Sequence, residues 1–256
     1  VFALEGRGNA RRPVRRVPEG VATTVALALL LISMAPVSEA SLAANVHRPF
    51  TGAVAFASAT TYLAPGCPAH ETGTPAVAPF ANISTGRVGS VTHVNVTGGC
   101  SVAVANISTV AGFLGPTFHV TASSTRDVVF HWRIALRAAG MMTGAITGDA
   151  VRVTLFGNLF DNTTGSWVLP KDAVTVVFSF CCHFVGGISL RNYTVTVHAG
   201  LAAGDQYLFY TGVHTFVSSR CQTSTAAICG PKAHAAAHLD LALHGHGAWL
   251  VSAKII

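Results

Sequence analysis

Charge is scarce in this 256-residue chain: Asp, Glu, Lys and Arg together make up 10% of it. Carboxylates are the rarer sign, and three of the ten (Glu5, Glu19, Glu39) fall in the first forty residues. Glycosidase chemistry needs two facing carboxylates. Only Glu71, Asp127, Asp149, Asp161, Asp172, Asp205 and Asp240 remain to supply them. Asp161 and Asp205 stand in turn sequences and Asp172 follows one, where such side chains normally satisfy backbone groups. Catalytic motifs are missing as well: there is no G-x-S-x-G, no H-E-x-x-H and no P-loop. "HETGT" at 70–74 starts like a zinc-protease motif and then fails it. These absences argue against an enzyme. A scattered Ser–His–Asp set, recognisable only by geometry, stays open as a secreted hydrolase with an unrecognised site. No basic patch with interleaved aromatics occurs, which excludes nucleic acid as the expected partner.

One apolar run stands out. Arg7, Arg11, Arg12, Arg15 and Arg16 precede an apolar core from Val25 to Met34, and "APVSEA" follows. This is the plan of a secretory signal peptide over 1–40, with cleavage expected after Ala40. The run is short for a bilayer span, which needs about 20 residues. Membrane contact is therefore expected only through an uncleaved leader. Eleven of the sixteen Lys and Arg lie beyond residue 40, against seven of the ten Asp and Glu, so the mature chain is only modestly basic.

Export fits two other features. Five asparagines open an N-x-[ST] sequon, Asn82, Asn95, Asn106, Asn162 and Asn192, where chance in a Thr-rich chain gives about one or two. They are the candidate glycosylation sites. All six cysteines, Cys67, Cys100, Cys181, Cys182, Cys221 and Cys229, lie beyond the leader. An even number in an oxidising compartment favours disulfides, expected as Cys67–Cys100 plus a cluster joining 181/182 to 221/229. Free thiols that bind metal are the rival.

Period-two alternation runs through the rest, as in half-buried antiparallel strands. In "DVVFHWRIALRA", Val128, Phe130, Trp132, Ile134 and Leu136 share a face, and His131, Arg133 and Arg137 take the other. "AVTVVFSFCCHF" places Val174, Val176, Phe178 and Phe180 on one side; "NYTVTVHAG" does the same for Tyr193, Val195 and Val197. Turn chemistry at 97–99, 161–165, 170–172, 186–187 and 202–205 separates the strands. The expected fold is all-β, an antiparallel sandwich or jelly roll of about ten strands, forming one domain over 41–256. Its N-terminal part is loop-rich, with 64–79 read as a loop. Trp132 and Trp249 are expected in the core, and Trp167 is expected to seal an end of it rather than stack on a sugar.

The segment "AHAAAHLDLALHGHGAWL" at 233–250 holds four of the twelve histidines. As a strand it points Ala235, Ala237, Leu239, Leu241 and Leu243 inward and His234, His238, Asp240 and His244 outward. The terminal "GAWLVSAKII" is expected to close the sandwich and hide a sheet edge. One explanation covers most of the histidines, that they are surface residues. The alternative is a zinc or copper site drawn from His234, His238, Asp240, His244 and His246, with His183 from a partner strand. Strand neighbours two apart stand about 6.5–7 Å apart, so one strand alone does not close a tetrahedral site.

Gly66-Cys67, the Trp132 strand, the "NTTG" turn before Trp167 and the ending "AHLDLALHGHGAWLVSAKII" follow a leader. In these the chain resembles a group of uncharacterised secreted β-rich proteins of Thermoplasmata-like archaea. The resemblance implies no activity; it implies a cell-surface setting in an acidic habitat. Sparse carboxylates suit acid, since few charge-dependent contacts are lost on protonation. Twelve histidines cut the other way, because all would be charged there. The expected role is that of a non-catalytic secreted or cell-surface protein, an envelope component or adhesin-like module. It needs no cofactor, and its partners are other cell-surface proteins or glycans. The alternative is extracellular metal binding by outward-facing histidines.

Overall fold

Trp132 shows how the alternation becomes a sheet. It is fully buried, as are Val128, Phe130 and Ile134 on the same face of their strand, while Arg133 and Arg137 on the other face are exposed. The structure, a computed structural model, describes residues 51–63, 71–97, 102–143, 147–181, 184–222 and 234–256.

Among the described residues there are twelve strands and no helix: β1 (Gly52–Leu63), β2 (Glu71–Asn82), β3 (Arg87–Thr97), β4 (Val102–His119), β5 (Ser124–Thr143), β6 (Thr147–Asp161), β7 (Ser166–Trp167), β8 (Ala173–Cys181), β9 (Phe184–Leu201), β10 (Gln206–Gln222), β11 (His234–Asp240) and β12 (Gly247–Ile255). They form two antiparallel sheets packed face to face, a β-sandwich. The first sheet runs β1-β4-β10-β6, with β7 and β8 both lying along β6. In the second, β11 and β12 lie end to end between β3 and β5, each pairing with both. β2 flanks β3 and β9 flanks β5.

Apolar side chains of both inner faces fill the space between the sheets. Phe113, Leu155, Phe209 and Val217 come from the first, and Val94, Phe130, Trp132 and Leu239 from the second. Burial on this scale is the main stabilising term. Several of the polar groups that enter the core are bonded to one another across it, whereas the buried Thr92 hydroxyl has no partner among the described residues. Ser90 on β3 meets Thr109 on β4 at 3.2 Å, and Thr109 meets Thr215 on β10 at 2.6 Å. The Trp132 indole N–H donates to Thr211 Oγ1, which donates to the Phe156 carbonyl. Pairing offsets the desolvation that each would otherwise suffer.

The structure departs from the sequence reading at six places. Residues 71–82, read mostly as loop, form β2. Its prolines are tolerated because the strand pairs on one side only and bulges near Pro75. Gly186 and Gly187, read as a turn, lie inside β9; a Cβ on Gly187 would stand 2.5 Å from the Leu136 carbonyl oxygen, so the glycine admits close backbone approach. The inward face of β8 is reversed at its start. Val174, Val176 and Phe180, all read as facing inward, are exposed: the register shifts at Val177 and the strand lies at the sheet margin. Trp249 points outward from β12, and Leu243 is exposed because β11 stops at Asp240. The carboxyl-terminal strand occupies the middle of its sheet rather than an edge.

Candidate functional site

Seven residues, 241–247, intervene between the β11 pair Asp240↔Val91 and the β12 pair Ala248↔Val88, opposite only two residues of β3. They therefore loop out of the middle of the sheet. The tip, Leu243–His246, is a tight turn with His244 at φ 53° and Gly245 at φ 81°, closed by the His246 N–H on the Leu243 carbonyl at 2.8 Å. Two successive left-handed residues define a type I′ turn, where glycine is at ease and histidine is one of the more tolerant side chains.

Asp240 builds this loop from beneath. One carboxylate oxygen, Oδ1, accepts from the backbone N–H of Ala242 at 2.9 Å and of Leu243 at 2.7 Å. The other, Oδ2, faces Nδ1 of His246 at 2.9 Å and Nδ1 of His244 at 3.3 Å. Burial alone would raise the Asp240 pKa, but these four bonds favour the charged form and outweigh it, drawing the value down to about 2. An ionised carboxylate only accepts, so each Nδ1 carries the proton and each Nε2 is left as the basic nitrogen. Arg87 braces the loop from the side. Its guanidinium donates to the carbonyls of Ala242 and His246 and stands 5.6 Å from the ring centres of both Phe80 and Trp249. That cation–π stack holds Trp249 on the outer face.

Further along the same face, His238 is paired in register with His93 of β3, their ring centres 6.2 Å apart. Burial, then His93 itself, lower the His238 pKa, with Asp240 opposing and Arg137 adding to the fall. His238 is therefore neutral at neutral pH. His234, two alternations away, is half-buried and in register with Thr97 of β3 and Thr143 of β5. Thus His234 and His238 share the outer face as expected, while Asp240 is buried and committed to the loop. Among the described residues no group of three or more His, Cys, Asp or Glu comes together as a metal cluster. His183 lies outside the described residues.

His93 and Arg87 were not singled out from the sequence as site residues, and neither was Ser108. The Ser108 hydroxyl and His214 Nε2 share a 2.7 Å hydrogen bond on the outer face of the first sheet. Burial lowers the His214 pKa, and the neighbouring charge of Arg152 lowers it further. Ser108 sits in the middle of β4, paired with β1 on one side and β10 on the other. The surrounding backbone N–H groups belong to the ladders, so the site offers no oxyanion pocket of the kind acyl transfer uses.

The sequon asparagines spread over both sheets. Asn82 and Asn192 are exposed, while Asn95, Asn106 and Asn162 are half-buried. Asn82 opens the turn after β2, accepting from Ser84 Oγ and the Thr85 N–H. Of the disulfide candidates, Cys181 is exposed on β8. Cys67, Cys100, Cys182 and Cys229 lie outside the described residues, as do the side chain of Cys221 on β10 and the leader. Trp167 packs on Phe160 and Tyr210, their ring centres 5.2 and 5.4 Å away, and covers that end of the first sheet's outer face.

No protein-family model matches the chain, and no curated protein matches its sequence.

Proposed function

We propose that this protein acts without catalysis at the cell surface, as a secreted, glycosylated β-sandwich serving as an envelope component or adhesin-like module. One observation carries the non-catalytic part: each carboxylate whose side chain is described is held by a local structural bond. Asp127 lies 2.5 Å from His198 Nδ1. Asp161 accepts from the N–H groups of Thr163 and Thr164, and Asp172 from Asn158 Nδ2. Asp205 accepts from the Tyr207 hydroxyl, and Asp240 closes its loop. Carboxylates so engaged fix turns and strand pairs, and among the described residues none stands unengaged as a general acid or base. The leader, the sequon excess and the exposure of Asn82 and Asn192 support the surface setting.

Fractionation and surface biotinylation of native cells test this reading. It requires the chain in the external or envelope fraction, labelled on intact cells. Recovery in the cytosol, unlabelled, ends it.

A second reading, extracellular zinc or copper binding, draws support from two pairs on one face. His93 and His238 stand side by side, and Asp240 orients His244 and His246 through Nδ1, which leaves Nε2 directed elsewhere. A carboxylate behind an imidazole is the arrangement that surrounds metal-bound histidines. Asp240 is then an orienting group rather than a ligand. Copper(II) titration followed by electron paramagnetic resonance tests it. Nitrogen hyperfine structure lost in His238→Ala supports the reading, and a spectrum unchanged by that substitution rejects it.

A further inference from the structure

The outer face of the second sheet carries a groove that the sequence did not suggest. Two bulges make it. On β12 the register shifts between Leu250 and Ser252, leaving Val251 extra. On β9 it shifts opposite Ile134–Leu136, so that Ser189 and Leu190 stand against Ala135 alone. Bulges of this kind re-aim side chains, and here Val251 and Leu190 swing out to become walls. Between them lie two adjoining depressions of about 560 Å³ and 300 Å³ that share Arg133, Leu190 and Val251. The larger is of the size that holds small ligands.

The floor is ordered across three strands. Arg133 of β5 is in register with Trp249 of β12 on one side and with Asn192 of β9 on the other. An indole, a guanidinium and an amide thus form one row. Lys254 adds a second cation along the larger depression, which His131 also lines. No carboxylate lines either depression. Among the described residues every ion pair joins a histidine to an aspartate, so neither Arg133 nor Lys254 has an acidic partner. The two aspartates on this face are already committed, Asp127 to His198 and Asp240 to the loop.

The geometry points to this groove as a binding site for an acidic saccharide, a sugar chain bearing uronate or sulfate groups. The guanidinium offers a planar fork to the anion, the amide bonds hydroxyls, and the indole with Val251 and Leu190 meets the apolar face of a pyranose ring. Nucleic acid fits less well. Single strands are held by successive stacking platforms, whereas of the two tryptophans lining the groove Trp132 is fully buried and Trp249 has one side stacked by Arg87. The inference deepens the adhesin-like reading by naming its ligand, and rests on it for biological meaning. The binding test uses purified protein, so its failure leaves the surface location untouched.

Calorimetric titration of the full chain with polygalacturonate, a neutral galactan and single-stranded DNA decides the matter. Polygalacturonate is expected to bind and the neutral galactan not to. Arg133→Gln is expected to weaken binding about tenfold, the loss of one charge-assisted contact, and Lys254→Gln by a smaller factor. Both side chains lie on the outer face, so the core is undisturbed. Arg152→Gln, on the outer face of the other sheet, leaves affinity unchanged. The proposal is overturned by absence of polygalacturonate binding, by equal affinity for the neutral galactan, by tighter binding of DNA, or by Arg133→Gln and Arg152→Gln having the same effect. Asn192 also opens a sequon, so Asn192→Gln is titrated alongside. Binding seen only in that variant assigns the groove to the chain's own glycan and likewise overturns it.

Discussion

His246 Nδ1 donates to Asp240 Oδ2 at 2.9 Å, across a loop that interrupts the central strand of the second sheet. The bond ties the end of β11 to the residue that begins the return to β12, and the same carboxylate also caps two backbone N–H groups. Removing it leaves both donors without that partner, the Ala242 N–H in a buried position. Asp240→Ala is therefore expected to lower stability at neutral pH by about 2 kcal/mol, as judged from the depressed pKa. The sign of the pH dependence follows. A carboxylate with a lowered folded-state pKa stabilises the fold above the unfolded value, near 4, and loses that contribution as pH falls through about 2. Urea unfolding of the two proteins should thus differ at pH 6 and converge near pH 2.

A slope of the same sign, but at higher pH, is expected at His238. Its pKa is lowered, so protonation is harder in the folded state than in the unfolded chain. Above the ordinary histidine value of 6.5 the residue is neutral in both states and has no effect. As pH falls below that value the unfolded chain binds the proton first and stability drops. His238→Gln should match the parent at pH 8 and be the more stable of the two at pH 5. Thermal unfolding at the two pH values reads this directly, and a parent that is equally or more stable at pH 5 counts against it.

Much of this architecture was legible in the chain, because alternation survives wherever one face of a strand is buried. β5, β9 and β11 sort their side chains as read: Val128 to Leu136, Val195 and Val197, and Ala235 to Leu239 point inward. Legibility failed where register changed. The bulge at Val177 reversed the start of β8. The alternation of "HLDLALHG" runs unbroken through the point where the strand leaves the sheet. The available signal there was chemical rather than periodic: an aspartate followed at four and five residues by His-Gly, a pair suited to a left-handed turn. Trp249 misled because hydrophobicity alone places it inside, whereas Arg87, far away in sequence, stacks on it outside. The cross-strand partners of the candidate sites, His93 for His238 and Asn192 for Arg133, depend on strand order, which one sequence does not display.

Trp132 offers a probe of the polar chain through the core. Its indole N–H reaches Thr211 Oγ1 at 3.3 Å, and that hydroxyl passes a bond to the Phe156 carbonyl at 2.7 Å. Thr211→Val keeps the volume and removes both, leaving a buried N–H unsatisfied. A loss of about 1–3 kcal/mol is expected, with a shift in tryptophan emission from the altered environment of Trp132. Stability equal to the parent would show that the bonds contribute nothing net.

Gly212 tests the close approach of β4 and β10. A Cβ there would stand 2.5 Å from the Ala111 carbonyl oxygen and 2.6 Å from the Phe156 ring. The strands are held by ladders on both sides and have no room to part. Gly212→Ala should cost about 3 kcal/mol through overpacking, measured by chemical denaturation. Gly186→Ala, where a Cβ meets open space, is the control and should leave stability within about 0.5 kcal/mol of the parent.

The central claim is that the described sandwich is an exported, sugar-bearing surface protein rather than an intracellular enzyme. Intact and peptide mass spectrometry of the native protein tests it most directly. The account predicts a mature chain beginning at Ser41, with glycan mass on sequon peptides that include Asn82. Native protein that retains residues 21–40 and carries unmodified asparagine at all five sequons would contradict it.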